Sequence, residues 1–148
     1  MSTTLVKSHN RNLLLYHLVC SAKYRKKIFT EPVNNSLKKV CQTIGENYEL
    51  VYVEMGLDDD HAHFLIQSIP PYDPTKIVRI TKSITAREMF KLHPEIKKQL
   101  WGGNFWTSGY YINTVGKNGN EDVIKEYVRN QGRQYKQIYR QQLKLFDT

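Results

Sequence analysis

Apolar positions along the chain fall into short runs whose period changes between two and about 3.6, and those changes mark the elements. Leu13 to Cys20 is a continuous apolar run holding Tyr16 and His17, which predicts a buried first strand. Thr30, Glu31 and Pro32 form a helix start, because proline is tolerated in the first turn. Val33, Leu37, Val40, Cys41 and Ile44 then recur on one face of that helix. Leu50 to Leu57 alternates Val51, Val53, Met55 and Leu57 against Leu50, Tyr52, Glu54 and Gly56, as a strand does. Asp58, Asp59 and Asp60 make the turn into His61 to Ile69. That strand sends His61, His63, Leu65 and Gln67 to one face and Ala62, Phe64, Ile66 and Ser68 to the other. Pro70, Pro71 and Pro74 end it.

Asp73 and Pro74 open a second helix, with Ile77, Ile80 and Ile84 toward the core beside a basic strip of Lys76, Arg79 and Arg87. Pro94 interrupts or restarts it, and Gly102 with Gly103 breaks the chain after Trp101. Phe105 to Val115, rich in aromatic and β-branched residues, predicts a fourth strand. Gly116 to Asn120 is a flexible connector, and Asn120 caps a third helix whose first turn carries Glu121 and Asp122. The order strand, helix, strand, strand, helix, strand, helix predicts an α+β fold. It is a ferredoxin-like split βαβ unit, an antiparallel sheet with helices packed on it plus a C-terminal helix. No repeat interrupts residues 1–148, which read as a single domain frayed up to about Asn12.

Composition narrows the function classes. The 22 Lys+Arg against 14 Asp+Glu give a net charge of +8 and favour a polyanionic partner. The longest apolar run is far short of the roughly 20 residues of a membrane span, and no signal peptide is expected. Cys20 and Cys41 lack the spacing of a zinc site or a redox dithiol, so core thiols in a reducing cytoplasm are the default.

His61 and His63 point the same way on a strand and can converge on one divalent ion, with Asp60 placed to orient an imidazole. An isolated H-x-H is more often a pair of ordinary strand histidines. Tyr127 and Gln131, at i and i+4, share a face of the third helix with Ile124 and Val128. Either can be plain helix surface or edge, yet Gln131 as an oxygen donor can complete a Mg²⁺ or Mn²⁺ shell with two histidines. The glycines from Gly109 to Gly116 are wrongly spaced for a phosphate loop, so no nucleotide triphosphate is expected.

Several segments together carry a more specific signal. They are His17-Leu18-Val19, Lys23 to Phe29, Asp60 to Ile66, Leu100 to Gly103, Phe105-Trp106, Gly109 to Tyr111 and Lys125 to Gln131. In these the chain resembles the single-tyrosine HUH-superfamily transposases of small bacterial insertion sequences, the IS200-like family, over roughly Leu14 to Gly132. Ala62 departs from the larger hydrophobe usual between the histidines, and the tail after Gly132 matches weakly, which leaves its role open.

The resemblance implies that His61, His63 and Gln131 hold Mg²⁺ or Mn²⁺ and that Tyr127 is the nucleophile. It implies cleavage and rejoining of single-stranded DNA at hairpin-marked ends through a 5′-phosphotyrosine. It further implies a homodimer whose fourth strands pair at an edge and whose Tyr helices complete composite sites. Lys23, Arg25, Lys26 and Lys27 form one candidate DNA-binding set and Lys76, Arg79 and Arg87 another, while Tyr24 or Trp106 is placed to stack a base. A catalytically silent hairpin-binding regulator is the alternative, and a replication initiator or relaxase fits less well with Gln131 and the short length.

Overall fold

In the computed structural model the described residues are 14–69, 71–115 and 136–140. β1 (Leu14–Ser21) runs into a single 3₁₀ turn (Lys23–Arg25), then α1 (Glu31–Asn47), β2 (Val51–Leu57) and β3 (His61–Ser68). α2 (Pro74–Leu92), α3 (Pro94–Gln99), β4 (Tyr111–Val115) and β5 (Lys136–Arg140) follow. The sheet order is β4-β1-β3-β2-β5, with every pairing antiparallel. Its first four strands have the expected ferredoxin-like arrangement. The third helix expected from Asn120 and its connector from Gly116 lie outside the described residues.

Local chemistry explains the helix boundaries. Pro32 stands in the first turn of α1, where a missing N–H costs no helical bond. The Asp73 side chain caps α2 by accepting from the Lys76 amide at 2.7 Å. Pro94 ends α2 at His93 and starts α3, so the restart is real.

Both helices bury their apolar stripes against one face of the sheet. Leu18, Cys20, Tyr52, Met55, Phe64 and Ile66 meet Leu37, Cys41, Ile44, Ile77 and Met89 there. Two polar pairs are satisfied inside this layer: the Tyr52 hydroxyl meets Thr81 Oγ1 at 2.7 Å, and the Trp106 indole N–H donates to Thr85 Oγ1 at 2.9 Å. Cys20 and Cys41 are buried free thiols, and burial pushes the Cys20 thiol up to about 12. Ala62, the small residue between the histidines, is fully buried on this face.

Three strand expectations change. A bulge between Tyr52 and Glu54 shifts the phase of β2, so Tyr52 joins Met55 and Leu57 on the helix-covered face while Val51 and Glu54 share the other. β4 begins only at Tyr111, because residues 107–109 turn their carbonyls onto one ammonium: Lys82 Nζ reaches the oxygens of Thr107 at 2.7 Å and of Ser108 and Gly109 at 3.4 Å. Phe105 and Trp106 instead lie in the core, and Trp106 bridges to Ala22 as an isolated pair. The tail supplies β5, an additional strand along β2 that pairs Glu54 with Arg140 and Leu57 with Lys136.

Candidate functional site

The histidines occupy the sheet face opposite the helices. β3 presents His61, His63, Leu65 and Gln67 there, as the alternation predicts, and β1 adds Leu15, His17 and Val19. β1 pairs Val19 with His63 and His17 with Leu65, so His17 stands diagonally beside His63. Its Nε2 lies 3.5 Å from His63 Nδ1. The ring centroids are 5.6 Å apart at an interplanar angle of 22°, so the two imidazoles lie nearly parallel.

The Asp58–Asp60 turn closes over the same point. His61 Nδ1 is 2.6 Å from Asp60 Oδ1 and 3.2 Å from Asp58 Oδ1. The second Asp58 oxygen stands 3.7 Å from His63 Nε2. Asp58, Asp60 and His61 bring one donor atom each within 4.8 Å of one another. Nδ1 of His61 is turned to the two carboxylates, while His63 faces His17 through Nδ1 and Asp58 through Nε2. An array of imidazole nitrogen and carboxylate oxygen fits a divalent metal.

Electrostatics favours that use. Burial holds the imidazoles of His17 and His63 below their ordinary pKa, that of His17 at about 4 with a further push from His63. Both are therefore neutral, lone-pair-bearing rings at pH 7. For His63, Asp58 opposes the shift and His61 adds to it. Desolvation pushes the Asp60 carboxyl up, but hydrogen bonds from Arg25 and His61 outweigh it and leave Asp60 below its usual range.

Asp60 also ties the basic turn to the histidines. Arg25 Nε donates to Asp60 Oδ2 at 2.9 Å, and the Ala22 amide donates to the Asp60 carbonyl at 2.8 Å. Lys27 approaches Asp59 at 3.9 Å. The set of Lys23, Arg25, Lys26 and Lys27 thus sits beside the His pair. Lys76, Arg79 and Arg87 do not: they ride on α2, in the helix layer on the opposite face of the sheet. Tyr127 and Gln131 lie outside the described residues. Of the two aromatics expected to stack bases, Trp106 is core and Tyr24 is exposed.

Sequence reasoning left out His17 and Asp58. A histidine inside the otherwise apolar run of β1, two residues from Val19 on its face, was the available signal for His17. Asp58 carried no signal beyond its place in a turn.

Comparison with known proteins supplies the family. Residues 10–131 match the family described as "Transposase IS200 like". The chain belongs to the IS200-like transposase family. It is 34% identical over 118 residues to the ISDra2 transposase TnpA of Deinococcus radiodurans, covering 80% of this chain and 84% of that protein. It is 27% identical over 128 residues to the transposase for insertion sequence element IS200 of Salmonella typhimurium, covering 84% and 80%. Among solved structures, a transposase from Deinococcus radiodurans R1 superposes with a TM-score of 0.67 at 30% identity, covering 84% of this chain and 95% of that one. The REP-associated tyrosine transposase bound to a REP hairpin shares the fold at a TM-score of 0.52 and 11% identity, covering 82% and 66%. Membership in a transposase family makes this a DNA-acting protein. Among the described residues, no helix is long and apolar enough to cross a membrane.

Proposed function

We propose that this transposase cleaves and rejoins single-stranded DNA at hairpin-marked ends, with Tyr127 as nucleophile and His61, His63 and Gln131 as holders of Mg²⁺ or Mn²⁺. The observation that carries the reading is the convergence of His61, His63 and Asp58 on one point of the sheet, in a chain of this family. The hairpin bound by the structural neighbour is the precedent for that form of DNA.

In this reading the Tyr127 phenol oxygen attacks the scissile phosphorus and the bond to the departing 3′-oxygen breaks. A 5′-phosphotyrosine and a free 3′-hydroxyl result. One phosphodiester is exchanged for another, so no nucleotide triphosphate is consumed. A 3′-hydroxyl then attacks the phosphotyrosine and restores the tyrosine. The divalent cation supplies charge stabilisation to the phosphate oxygens when bound. Asp60 and His17 fix the two imidazoles from behind, and Arg25 holds Asp60. The Lys23–Lys27 set draws the strand's phosphates toward this point, while Lys76, Arg79 and Arg87 form a separate surface for a more distant part of the DNA.

The test mixes the protein with labelled DNA from the flanks of its gene, as single strands and as duplex, in Mg²⁺ or Mn²⁺. A denaturation-resistant adduct is expected on single strands alone, and chelator should abolish it. Tight binding with no adduct on any flanking strand would move the reading to a hairpin-binding regulator.

The same reading includes a homodimer with composite sites, working in the cytoplasm as one domain over residues 1–148. β4 lies at an edge of the sheet with β1 on one side, which suits pairing with a second copy. Light scattering is expected to give twice the mass of the chain at micromolar concentration. A monomer that cleaves and rejoins DNA would overturn the dimer.

A further inference from the structure

Trp101 and Tyr24 are exposed where most large apolar side chains of the described residues are not. Trp101 is 75% exposed and Tyr24 52%, whereas Trp106 is 4% exposed with its N–H satisfied by Thr85. The two rings lie on different segments, 77 positions apart in the chain (101 minus 24), yet their centroids are 5.2 Å apart at an angle of 55°. A tilted pair of this kind covers little of either ring and leaves π-faces open to solvent.

The backbone is bent to place them there. Tyr24 (φ 60°), Arg25 (φ 54°) and Trp101 (φ 55°) are the non-glycine residues with positive φ among the described residues. All three belong to this one patch. A left-handed conformation is unfavourable for a residue with a Cβ and persists only where its surroundings hold it. Here they do: the Lys23 amide donates to the Phe105 carbonyl at 2.9 Å and the Arg25 amide to Ala22 at 2.9 Å. The Trp101 amide donates to Lys98 at 3.0 Å and that of Gly102 to Lys97 at 2.7 Å. Neither ring enters the core, so packing does not account for the strain.

Cations surround the rings. Lys23 Nζ stands 5.4 Å from the Tyr24 centroid and Lys26 Nζ 5.8 Å from that of Trp101. Arg25, between the two lysines, reaches Asp60 and through it His61. Aromatic faces interleaved with flexible cations beside a phosphate-handling site match single-stranded nucleic acid: bases stack on the rings while phosphates meet the lysines.

We propose that Trp101 and Tyr24 form a stacking site for an unpaired nucleobase of the DNA strand whose backbone runs past Lys23 and Lys26 toward His61 and His63. The inference rests on the proposed single-strand DNA activity and adds a base-binding residue, Trp101, that no alternation or spacing singles out.

The chain has two tryptophans, and burial of Trp106 makes Trp101 the one that solvent and ligand reach. The experiment titrates the whole protein with a hairpin oligonucleotide carrying a single-stranded extension from the gene's flanks, following tryptophan emission and, separately, anisotropy of a label on the DNA. Binding should quench the emission. In Trp101→Leu the quenching should vanish and the affinity fall roughly 10-fold, with the salt slope of binding unchanged because no phosphate contact is removed. Tyr24→Leu should weaken binding in the same sense. Abasic sites in the extension should reproduce the loss with the parent protein and add little in Trp101→Leu.

If the parent binds with unquenched emission and Trp101→Leu binds equally well, the stacking site is wrong while single-strand binding stands. If the parent binds no DNA in the anisotropy measurement, the proposed function fails and the stacking site with it. A change of oligomeric state in Trp101→Leu at unaltered DNA affinity would reassign the patch to contact between copies and overturn the inference.

Discussion

The Tyr127→Phe protein is expected to bind single-stranded hairpin DNA as its parent does while forming no covalent adduct. Strand cleavage should fall by on the order of 10³-fold or more, the scale seen when a nucleophile is removed from a working catalytic set. Phenylalanine keeps the ring and removes one oxygen, so folding and DNA affinity have no reason to change. Other tyrosines are poor substitutes. Tyr52 is buried with its hydroxyl against Thr81, and burial raises its pKa well above the ordinary value. Tyr16 is also raised, first by burial and then by Asp73, and its side chain lies in the core beneath the helices. Single-turnover cleavage of a labelled strand on a denaturing gel makes the measurement. An adduct retained within 10-fold of the parent would remove Tyr127 from the mechanism and direct attention to the exposed Tyr24, Tyr110 and Tyr111.

What the sequence made legible follows from which signals are local. The facing of β3 needs only the period of two, and the H-x-H pair emerges where that period puts it, with Phe64 and Ile66 turned to the helices. The starts of α1, α2 and α3 are likewise local, because Pro32, Asp73 and Pro94 act within one turn. The phase of β2 was not legible: the bulge at Val53 inserts one residue, so period-two reading groups Val51 with Met55 and Leu57 although Tyr52 is the one that shares their face. β5 was hidden for a different reason. Its sequence is largely polar, as suits a strand at the sheet edge, and so lacks the apolar signal that revealed the others.

The site divides along the same line. His61, His63 and Asp60 are neighbours in the chain, so their association was readable. His17 joins them only through the register of β1 against β3, which brings together residues 46 positions apart. The two basic sets looked equivalent in the sequence, and only the layering of the fold separates Lys23–Lys27 from α2. Trp106, one of the two aromatics expected to stack a base, is buried and Trp101 exposed, because exposure depends on the path of the loop between Gly102 and Trp106, which no periodicity encodes.

Phe105→Ala is expected to cost about 3–5 kcal/mol of folding stability, a large share of the roughly 5–15 kcal/mol that holds a domain of this size together. Phe105 is almost fully buried and sits at the centre of an aromatic cluster. Its ring meets Trp106 at 4.7 Å, Phe90 at 5.6 Å and Phe29 at 6.3 Å, each edge-on. Truncation therefore removes three oriented ring contacts and leaves a cavity that rings already in place cannot collapse to fill. Phe105→Leu, which keeps most of the volume, should recover much of the loss. Urea unfolding at constant m-value gives both numbers, and a cost under about 1 kcal/mol for the alanine variant would show that the cluster relaxes freely. A functional consequence is also expected. The Phe105 carbonyl accepts from the Lys23 amide, so this core residue anchors the strained turn that carries Tyr24 and Arg25. Where Phe105→Ala remains folded, that carbonyl is still present but the backbone carrying it is no longer fixed by a packed ring, so DNA affinity should fall along with stability even though position 105 is buried. Equal affinity in parent and variant, measured where both are folded, would show that the backbone at position 105 keeps its place without the ring.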